Sequence, residues 1–412
     1  MKSDLDKLMA QKELDALLVV GPGQHNPAMY YFTGGVHLTD GLLVKPLNAE
    51  PVLFYNPMER DEAAKSGLQT KSLAEYPLKE LLDQTGGDYL EANILRHRNL
   101  LTDLGLVRSR IALYGLHDAG STYGLFSGLN RSLPELTIIS ESSDNILLQA
   151  MATKDSTEIE RIRRMGKITT EVVGKVADYL SSHRARNDVL IQDDGSPLTI
   201  GEVKSRINLW LAEHGAENPE GTIFAIGRDA GIPHSSGAPS DQLRLGETIV
   251  FDIFPCENGG GYYYDFTRTW CLGFAPDPVQ ALYEEVYAVY RQIMGELELD
   301  APCKQYQDRT CELFQELGHP TIKENPKTLE GYVHSLGHGI GLHVHESPVF
   351  GQTATENDRL SPGVVVTIEP GLYYPERGMG VRLEDSVWVR PDGAMEVLAE
   401  YPLDLVLPVR EA

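Results

Sequence analysis

Four strand-like segments in the C-terminal half of the chain carry acidic residues among apolar neighbours, and one acid in each is of interest. Their β-branched and aromatic composition predicts β-strands. The segments are TIVFDIF (248–254), YYYDFTRTW (262–270), VVVTIEP (364–370) and VRLEDSVWV (381–389), and the acids are Asp252, Asp265, Glu369 and Glu384. One such acid would ordinarily face solvent. Four of them, beside a histidine cluster, predict a common site, because partly buried carboxylates need compensating positive charge.

The first two segments are joined by PCENGGG, whose three consecutive glycines permit a tight reversal and predict a hairpin. Side chains alternate between the faces of a strand, so Asp252 shares a face with Val250 and Phe254, and Asp265 with Thr267. Pairing of the two strands would bring both carboxylates to one face. A bound metal ion would relieve the repulsion between them.

The histidine cluster lies in HSLGHGIGLHVHE, with His334, His338, His343 and His345 separated by glycines. Glycine allows the backbone to approach a ligand closely. An imidazole combined with carboxylates is a nitrogen and oxygen donor set that suits Mn, Co, Fe or Zn better than Ca or Mg. The chain has no His-Glu-x-x-His motif, so a helical zinc-peptidase site is not expected.

The rest of the chain predicts two domains. Residues 1–150 alternate helical segments with short strands at DALLVVG, GLLVKPL, PVLFYN, RIALYG and LTIISE, which predicts an α/β domain. Asp155 and Glu158 form a capping-box pattern at the start of a second domain, 151–412. Further helices are expected from Thr199, from Asp277–Pro278 and over about 304–317. With the strands above, they predict an α+β domain whose helices cover one face of a largely antiparallel sheet.

Charge and composition exclude several classes of partner. A net charge of −24 disfavours nucleic acids and anionic membrane surfaces, which need clustered basic residues. No segment approaches the roughly 20 apolar residues of a membrane span. The N-terminus lacks the apolar stretch of a signal peptide, and the four cysteines form no CxxC pair, so we expect a cytoplasmic protein with reduced thiols.

Five motifs in series resemble those of the pita-bread metallopeptidases, which include methionine aminopeptidase, prolidase, aminopeptidase P and the metal-free relative creatinase. The motifs are IPHSSG, VFDIF…YYYDFTRTW, HSLGHGIGLHVHE, TIEPGLY and GVRLED. MATKDSTEIERIRRMG is similar to the helix that opens the catalytic domain of the family. An N-terminal domain of this size resembles prolidase and aminopeptidase P. Unlike creatinase, this chain keeps all five ligand positions.

The resemblance implies a site for two divalent ions, most often Mn²⁺, with Co, Zn or Fe as alternatives. Asp252 would bind one ion, His338 and Glu369 the other, and Asp265 and Glu384 would bridge them. The implied activity is hydrolysis at Xaa-Pro bonds through a hydroxide that bridges the ions, by an Xaa-Pro aminopeptidase or an Xaa-Pro dipeptidase. A homodimer is also expected from the resemblance.

The resemblance assigns roles around the ions as well. Glu369 would act as the general base, and His234 and His345 would lie on the substrate side, to stabilise the oxyanion or carry a proton to the leaving nitrogen. His334 would line the pocket for the residue after the scissile bond. Arg382 would orient a carboxylate. Without the resemblance, His234 could equally be a loop histidine and Arg382 a surface strand residue.

One feature departs from the family pattern. The usual Asp-x-Gly is replaced by Asp252-Ile253-Phe254, and the glycine-rich turn is about two residues longer, so the shape of that turn is open. Other readings also remain open: a peptidase or amidase of different specificity, or a non-catalytic peptide-binding module. The sequence does not separate a dipeptidase from an aminopeptidase that acts on longer peptides.

Overall fold

The computed structural model describes residues 4–142 and 145–410, and the chain divides into two compact units. The first comprises Met1–Met151 with Gly259–Gly261, and the second comprises Ala152–Asn258 with Tyr262–Ala412. Three residues of the glycine-rich turn therefore group with the first unit, which the sequence analysis did not anticipate. We propose that the two units are the domains expected at 1–150 and 151–412.

The first unit is an α/β unit, as predicted. Its helices, numbered in chain order, are α1 (Leu5–Gln11), α2 (Pro27–Thr33), α3 (Arg60–Ala64), α4 (Leu78–Gln84), α5 (Tyr89–Asp103), α6 (Ala119–Ser132) and α7 (Ile146–Ala152), whose last residue belongs to the second unit. Its strands are β1 (Ala16–Gly21), β2 (Gly41–Pro46), β3 (Val52–Tyr55), β4 (Gln69–Ser72), β5 (Arg110–Gly115) and β6 (Thr137–Ile139).

The six strands form one mixed sheet in the order β4-β3-β2-β1-β5-β6. The central strand β1 pairs antiparallel with β2 and parallel with β5. Leu17, Leu18 and Val19 are all buried, so both faces of this strand are covered, as expected when helices pack on each side. The sequence did not predict β4, because Gln69–Ser72 is polar and has no apolar alternation.

The second unit begins with the helix that the capping box predicted. Its helices are α8 (Ser156–Ser182), α9 (Ile200–Glu213), α10 (Asp277–Glu296) and α11 (Cys303–Glu316). Asp155 accepts hydrogen bonds from the amides of Thr157 and Glu158, and Glu158 accepts one from the Asp155 amide at 2.7 Å. The same reciprocal arrangement links Thr199 and Glu202 at the start of α9. These caps satisfy amides that have no partner within a helix.

The strands of this unit are short and alternate with its helices along the chain. They are β7 (Arg184–Arg186), β8 (Val189–Ile191), β9 (Ala216–Glu217), β10 (Thr222–Ile226), β11 (Thr248–Ile253), β12 (Cys256–Glu257), β13 (Phe266–Leu272), β14 (His338–Gly339), β15 (Glu346–Val349), β16 (Val365–Ile368), β17 (Gly371–Tyr374), β18 (Met379–Arg382), β19 (Asp385–Val389), β20 (Met395–Val397) and β21 (Val406–Leu407). No helix among the described residues is long and apolar enough to cross a bilayer.

The strands pair largely antiparallel, as predicted, but they form two main sheets where one was expected. The longer strands form two sheets, in the orders β10-β11-β13-β21 and β15-β14-β16-β19-β20, and β17 pairs with β18 as a separate ribbon. Neighbours in both sheets are antiparallel except β13 and β21. A bridge between Thr267 and Glu384 joins β13 to the segment between β18 and β19. The acid-bearing strands therefore belong to two sheets that meet at this bridge.

Two predicted strands are interrupted, and both interruptions lie at the candidate site. The segment 262–270 becomes a strand only at Phe266, because the amides of Tyr263 and Tyr264 donate to the carbonyls of Gly341 and Pro255 instead of to β11. The segment 381–389 divides into β18 and β19, because the Glu384 amide leaves the ladder and donates to the Thr267 carbonyl at 3.1 Å. Asp265 and Glu384 therefore lie just outside the strands that were expected to hold them.

Candidate metal centre

The first two acids are positioned by the pairing of β11 with β13. Asp252 lies on β11 directly opposite Thr267, and Asp265 immediately precedes β13. Asp265 and Thr267 are two residues apart, which places them on one face of an extended chain. The Phe266 amide donates to Asp265 Oδ1 at 2.9 Å and fixes that carboxyl group. The structure thus brings the two aspartates together, although the residue opposite Asp252 is Thr267.

His338 is oriented by its own strand, β14. Its amide donates to Thr367 Oγ1 at 3.1 Å, and its Nδ1 lies 3.0 Å from the Gly339 carbonyl oxygen. A carbonyl only accepts, so Nδ1 carries the proton and Nε2 keeps a lone pair. Nε2 lies 3.4 Å from Glu369 Oε1 and 3.6 Å from Asp265 Oδ2. This is the tautomer that a metal-binding imidazole requires.

Glu384 completes the cluster from the break between β18 and β19. The Thr267 hydroxyl donates to Glu384 Oε2 at 2.6 Å, across the bridge that joins the two sheets. Asp265, His338 and Glu384 each offer one ligand atom, and these atoms all lie within 4.8 Å of one another. Three side chains from three separate segments therefore surround one point.

The surroundings of the cluster shift the pKa values of its carboxyl groups and of its imidazole toward the neutral forms. Burial, with repulsion from neighbouring carboxylates as the next cause, raises the pKa of Asp265 and of Glu384 well above the usual range. Burial also raises the pKa of Glu369, to about 8, against the lowering effect of Arg382. Burial lowers the pKa of His338 to about 3, so its imidazole is neutral at pH 7. Neutral imidazole is the form that donates a lone pair to a metal.

The donor set fits divalent cations. Asp252 Oδ1 and Glu384 Oε1 are buried and have no hydrogen-bond partner among the described residues. An unpaired carboxylate oxygen in such a place is costly unless a cation binds it. Arg382 is the one strong cation found in contact with the cluster in the described part of the chain, and it is paired with Asp252. One guanidinium cannot balance the negative charge of four ionised carboxyl groups, so bound cations would have to balance the remainder.

A second layer of contacts surrounds the cluster. Tyr373 accepts a hydrogen bond from Arg382 Nη1 at 2.8 Å, and its hydroxyl lies 2.9 Å from His334 Nε2. His334 Nδ1 lies 2.7 Å from the Ser335 carbonyl oxygen, so both ring nitrogens of His334 are occupied. Burial lowers the pKa of His334 to about 3, and Arg382 adds to the effect. Arg382 also donates to the Pro233 carbonyl at 3.2 Å, beside His234.

All the residues predicted for the site line one cavity of about 820 Å³. They are His234, Asp252, Asp265, His334, His338, His345, Glu369, Arg382 and Glu384. The His345 ring packs edge-on against His338 with a centroid distance of 4.3 Å, and both His234 and His345 are exposed to solvent. The volume is in the range of pockets that bind small organic ligands.

Sequence reasoning missed two threonines. Thr267 binds Glu384 and also accepts a hydrogen bond from Arg382 Nε at 3.2 Å, and Thr367 binds the His338 amide and lies 3.3 Å from Glu369. The available signal was spacing, since each threonine is two residues from an acid on an extended segment and shares its face. That spacing placed Thr267 on the face of Asp265, but neither threonine was given a role, because threonine is an ordinary strand residue.

Residues 160–391 match the sequence profile of metallopeptidase family M24, and residues 2–142 match the creatinase/prolidase N-terminal domain. The chain belongs to metallopeptidase family M24. Membership makes it a peptidase and implies divalent metal ions, for which the cluster above is a possible site. The predicted enzyme class and family resemblance are thereby confirmed.

Individual relatives extend the M24 likeness over the chain. An Xaa-Pro dipeptidase of Pyrococcus furiosus is 28% identical over 253 residues, which cover 61% of this chain and 64% of that protein, slightly less than two thirds. An Xaa-Pro dipeptidase of Pyrococcus horikoshii is 25% identical over 392 residues, or 94% of this chain and 93% of the relative.

Solved structures of the M24 type share the fold. The crystal structure of an X-Pro aminopeptidase from Thermotoga maritima superimposes with a TM-score of 0.73 at 22% identity, covering 98% of this chain and all of the other. At this identity the likeness establishes the fold alone. This likeness confirms the predicted pita-bread fold of the catalytic domain, which follows an α/β N-terminal domain along the chain.

Proposed function

We propose that this M24 peptidase hydrolyses peptides at Xaa-Pro bonds with two divalent ions bound in the cavity. The observation that carries the proposal is the convergence of one imidazole and several buried carboxyl groups, two of which have an unsatisfied oxygen. The proposed ligands are Asp252, Asp265, His338, Glu369 and Glu384. The relatives named Xaa-Pro dipeptidase and X-Pro aminopeptidase support the bond specificity.

We assign Asp252 to one ion, His338 and Glu369 to the other, and Asp265 and Glu384 to both. Mn²⁺ is the proposed metal, with Co, Zn and Fe as alternatives, because the donors are carboxylate oxygens and one imidazole nitrogen. Bound ions would supply the Lewis acid that polarises a peptide carbonyl and lowers the pKa of a water molecule. His338 Nε2 keeps a lone pair and Asp252 Oδ1 has no hydrogen-bond partner among the described residues, so both atoms can bind an ion.

Side chains of this chain would move the protons and hold the substrate. Glu369 is the proposed general base, since a carboxylate with high proton affinity can take a proton from water and return it to the leaving nitrogen. His234 and His345 lie exposed on the cavity wall, where an imidazole N–H could donate to the oxyanion. His334, with both nitrogens already bonded, would shape the pocket after the scissile bond. Arg382 would hold Asp252 in place.

Membership of a peptidase family disfavours a non-catalytic binding module. A peptidase of different bond specificity remains the second candidate, because identities near 25% do not fix the substrate. A panel of Xaa-Pro dipeptides, Xaa-Pro-containing longer peptides and matched Xaa-Ala peptides separates these readings. Preferred cleavage of the Xaa-Ala series would reject the proposed specificity.

We further propose a cytoplasmic homodimer that has no nucleic-acid or membrane partner. The net charge of −24 supports the absence of nucleic-acid and membrane partners, and the four buried, unbridged cysteines support the cytoplasm. The homodimer is proposed from the family resemblance. Sedimentation of the purified protein at micromolar concentration tests the dimer. A mass near 45.6 kDa would indicate a monomer and contradict it.

Chelation is expected to abolish Xaa-Pro hydrolysis, and Mn²⁺ or Co²⁺ is expected to restore it. Bound ions would supply the Lewis acid that polarises the peptide carbonyl and activates water, so activity should depend on ions that EDTA removes. Initial rates before and after dialysis against EDTA, with and without added Mn²⁺, give the measurement. Metal analysis of the reactivated protein should find about two ions per chain. Full activity in a preparation that metal analysis shows to be free of ions would reject the mechanism.

A further inference from the structure

Lys204 lies on the cavity wall and has no acidic partner among the described residues. It is on α9 one turn before Asn208, and both side chains line the same cavity as the metal cluster. Its Nζ donates to the Ser236 carbonyl oxygen. Lys204 forms no ion pair with any residue that the structure describes. Its ammonium group is therefore held inward by a neutral acceptor alone.

This placement is unusual for a lysine. Lys204 is half-buried, and burial lowers the pKa of its ammonium group. A lysine normally extends its charge into water, since an unpaired and partly desolvated ammonium is unfavourable. Carboxylates are abundant, as the chain carries 60 Asp and Glu residues against 36 Lys and Arg. A lysine that has no acidic partner in such a chain, and that faces a ligand cavity, is available for an anion from outside.

The neighbouring segment puts Lys204 on the substrate side of the cavity. Arg382 donates to the carbonyl of Pro233, and Lys204 donates to the carbonyl of Ser236. His234 lies between these two anchoring points and is exposed to the cavity. Arg382 is already paired with Asp252, so its charge is compensated within the metal cluster. Among the Lys and Arg residues found to line the described cavity, Lys204 is the one with a free charge.

We propose that Lys204 binds the free C-terminal carboxylate of a short peptide substrate and so selects peptide acids of two or three residues. The inference rests on the proposed function and deepens it by naming a substrate class. A carboxylate is the anion that every short peptide carries, and a lysine ammonium binds it as a compact charge with three donors. No covalent step is involved. Nζ exchanges or shares its bond to the Ser236 carbonyl with the substrate oxygen.

The test compares peptide acids with their C-terminal amides. Xaa-Pro and Xaa-Pro-Ala are each assayed with Mn²⁺ as the free acid and as the amide, which has the same scissile bond and no carboxylate. The wild-type protein should show a lower KM for the acid at one or both lengths. Lys204→Met should raise the KM for that acid about tenfold to a hundredfold, the strength of a hydrogen bond to a charged group, while kcat changes little. Lys204→Arg should keep most of the preference.

A matched control separates the local effect from the change in net charge. Lys167→Met removes the same charge from an exposed position on α8 of the same unit and should leave the ratio of acid to amide KM unchanged. Two results would overturn the assignment of Lys204 but leave the proposed function standing. One is an acid-to-amide KM ratio that Lys204→Met does not alter, and the other is a wild-type KM ratio near one at both peptide lengths. Failure of the wild-type protein to cleave any acid or amide overturns the proposed function and this inference with it.

Discussion

Replacing Asp265 with asparagine is expected to remove bound metal and peptide hydrolysis together. Asp265 lies 3.6 Å from His338 Nε2, and its ligand atom belongs to the group within 4.8 Å that also includes Glu384. Asparagine keeps the shape but loses the negative charge that two proposed ions would share. We expect the metal content to fall well below two ions per chain. We expect kcat/KM to fall at least about a thousandfold, since metal catalysis contributes several kcal/mol.

The same substitution should not weaken the metal-free fold, and this separates a binding defect from misfolding. Burial and neighbouring carboxylates raise the pKa of Asp265, so its ionised form destabilises the folded state. The chelated Asp265→Asn protein should therefore unfold at the same temperature as chelated wild type, or higher. Mn²⁺ should raise the unfolding temperature of wild type more than that of the variant.

A control and a contradicting result complete the experiment. Asp83→Asn removes an acidic charge from an exposed position on α4 and should leave metal content and rates unchanged. Measurement requires metal analysis after gel filtration, together with initial rates in excess Mn²⁺. Wild-type metal content in Asp265→Asn, or activity within tenfold of wild type, would remove Asp265 from the proposed ligand set.

The sequence predicted the elements whose periodicity is strong, and it failed where the backbone leaves its ladder. The capping box at Asp155 and Glu158 and the start of α9 at Thr199 are local signals, so they could be read without tertiary information. The division into two sheets could not be predicted. It depends on a hydrogen bond from the Glu384 amide to the Thr267 carbonyl, between residues more than a hundred positions apart.

The candidate site was predictable because buried charge is chemically unusual. Acids such as Asp252 and Glu384 stood out against apolar strands, and the structure brings them into one cavity with His338. Neutral partners gave no such signal. Thr267 looks like an ordinary strand residue until the structure shows its hydroxyl on Glu384. Lys204 looks like an exposed helix residue until its Nζ is found on the Ser236 carbonyl. The role of a polar group that acts through its position can be recognised only in the folded structure.

The metal-free protein is expected to lose stability as the pH rises from about 6.5 to 8. The pKa of Glu369 is about 8 in the folded protein, against 4.5 for an unperturbed glutamate, and the pKa values of Asp265 and Glu384 are also raised. Between the unfolded and folded pKa values of these groups, the unfolded chain binds fewer protons at them than the folded chain. The free energy of unfolding therefore falls as the pH rises. Glu369 alone accounts for roughly 1.5 kcal/mol over this interval, at no more than about 1.4 kcal/mol per pH unit, because it is half ionised when the pH reaches its pKa.

Two histidines oppose this loss of stability at the lower end of the pH interval. The pKa values of His334 and His338 are lowered to about 3, so below about 6.5 the unfolded chain binds more protons at these sites. Their contribution rises with pH and opposes that of the carboxyl groups. An unfolded imidazole is half protonated at pH 6.5, so this opposing contribution fades between pH 6.5 and about 7.5, above which both imidazoles are neutral in both states. The carboxyl groups of Asp265, Glu369 and Glu384 then act without opposition from these two histidines.

Urea unfolding of the EDTA-treated protein at half-unit pH steps from 6.5 to 8 measures this loss. The same series in excess Mn²⁺ should be flatter, because bound cations replace the protons that the carboxyl groups retain when metal-free. Glu369→Gln in EDTA removes one titrating group and should reduce the slope without abolishing it, since Asp265 and Glu384 remain. A free energy of unfolding that stays constant or rises over this interval in EDTA would show that the carboxyl groups are not held protonated. The cluster would then have no electrostatic need for bound cations.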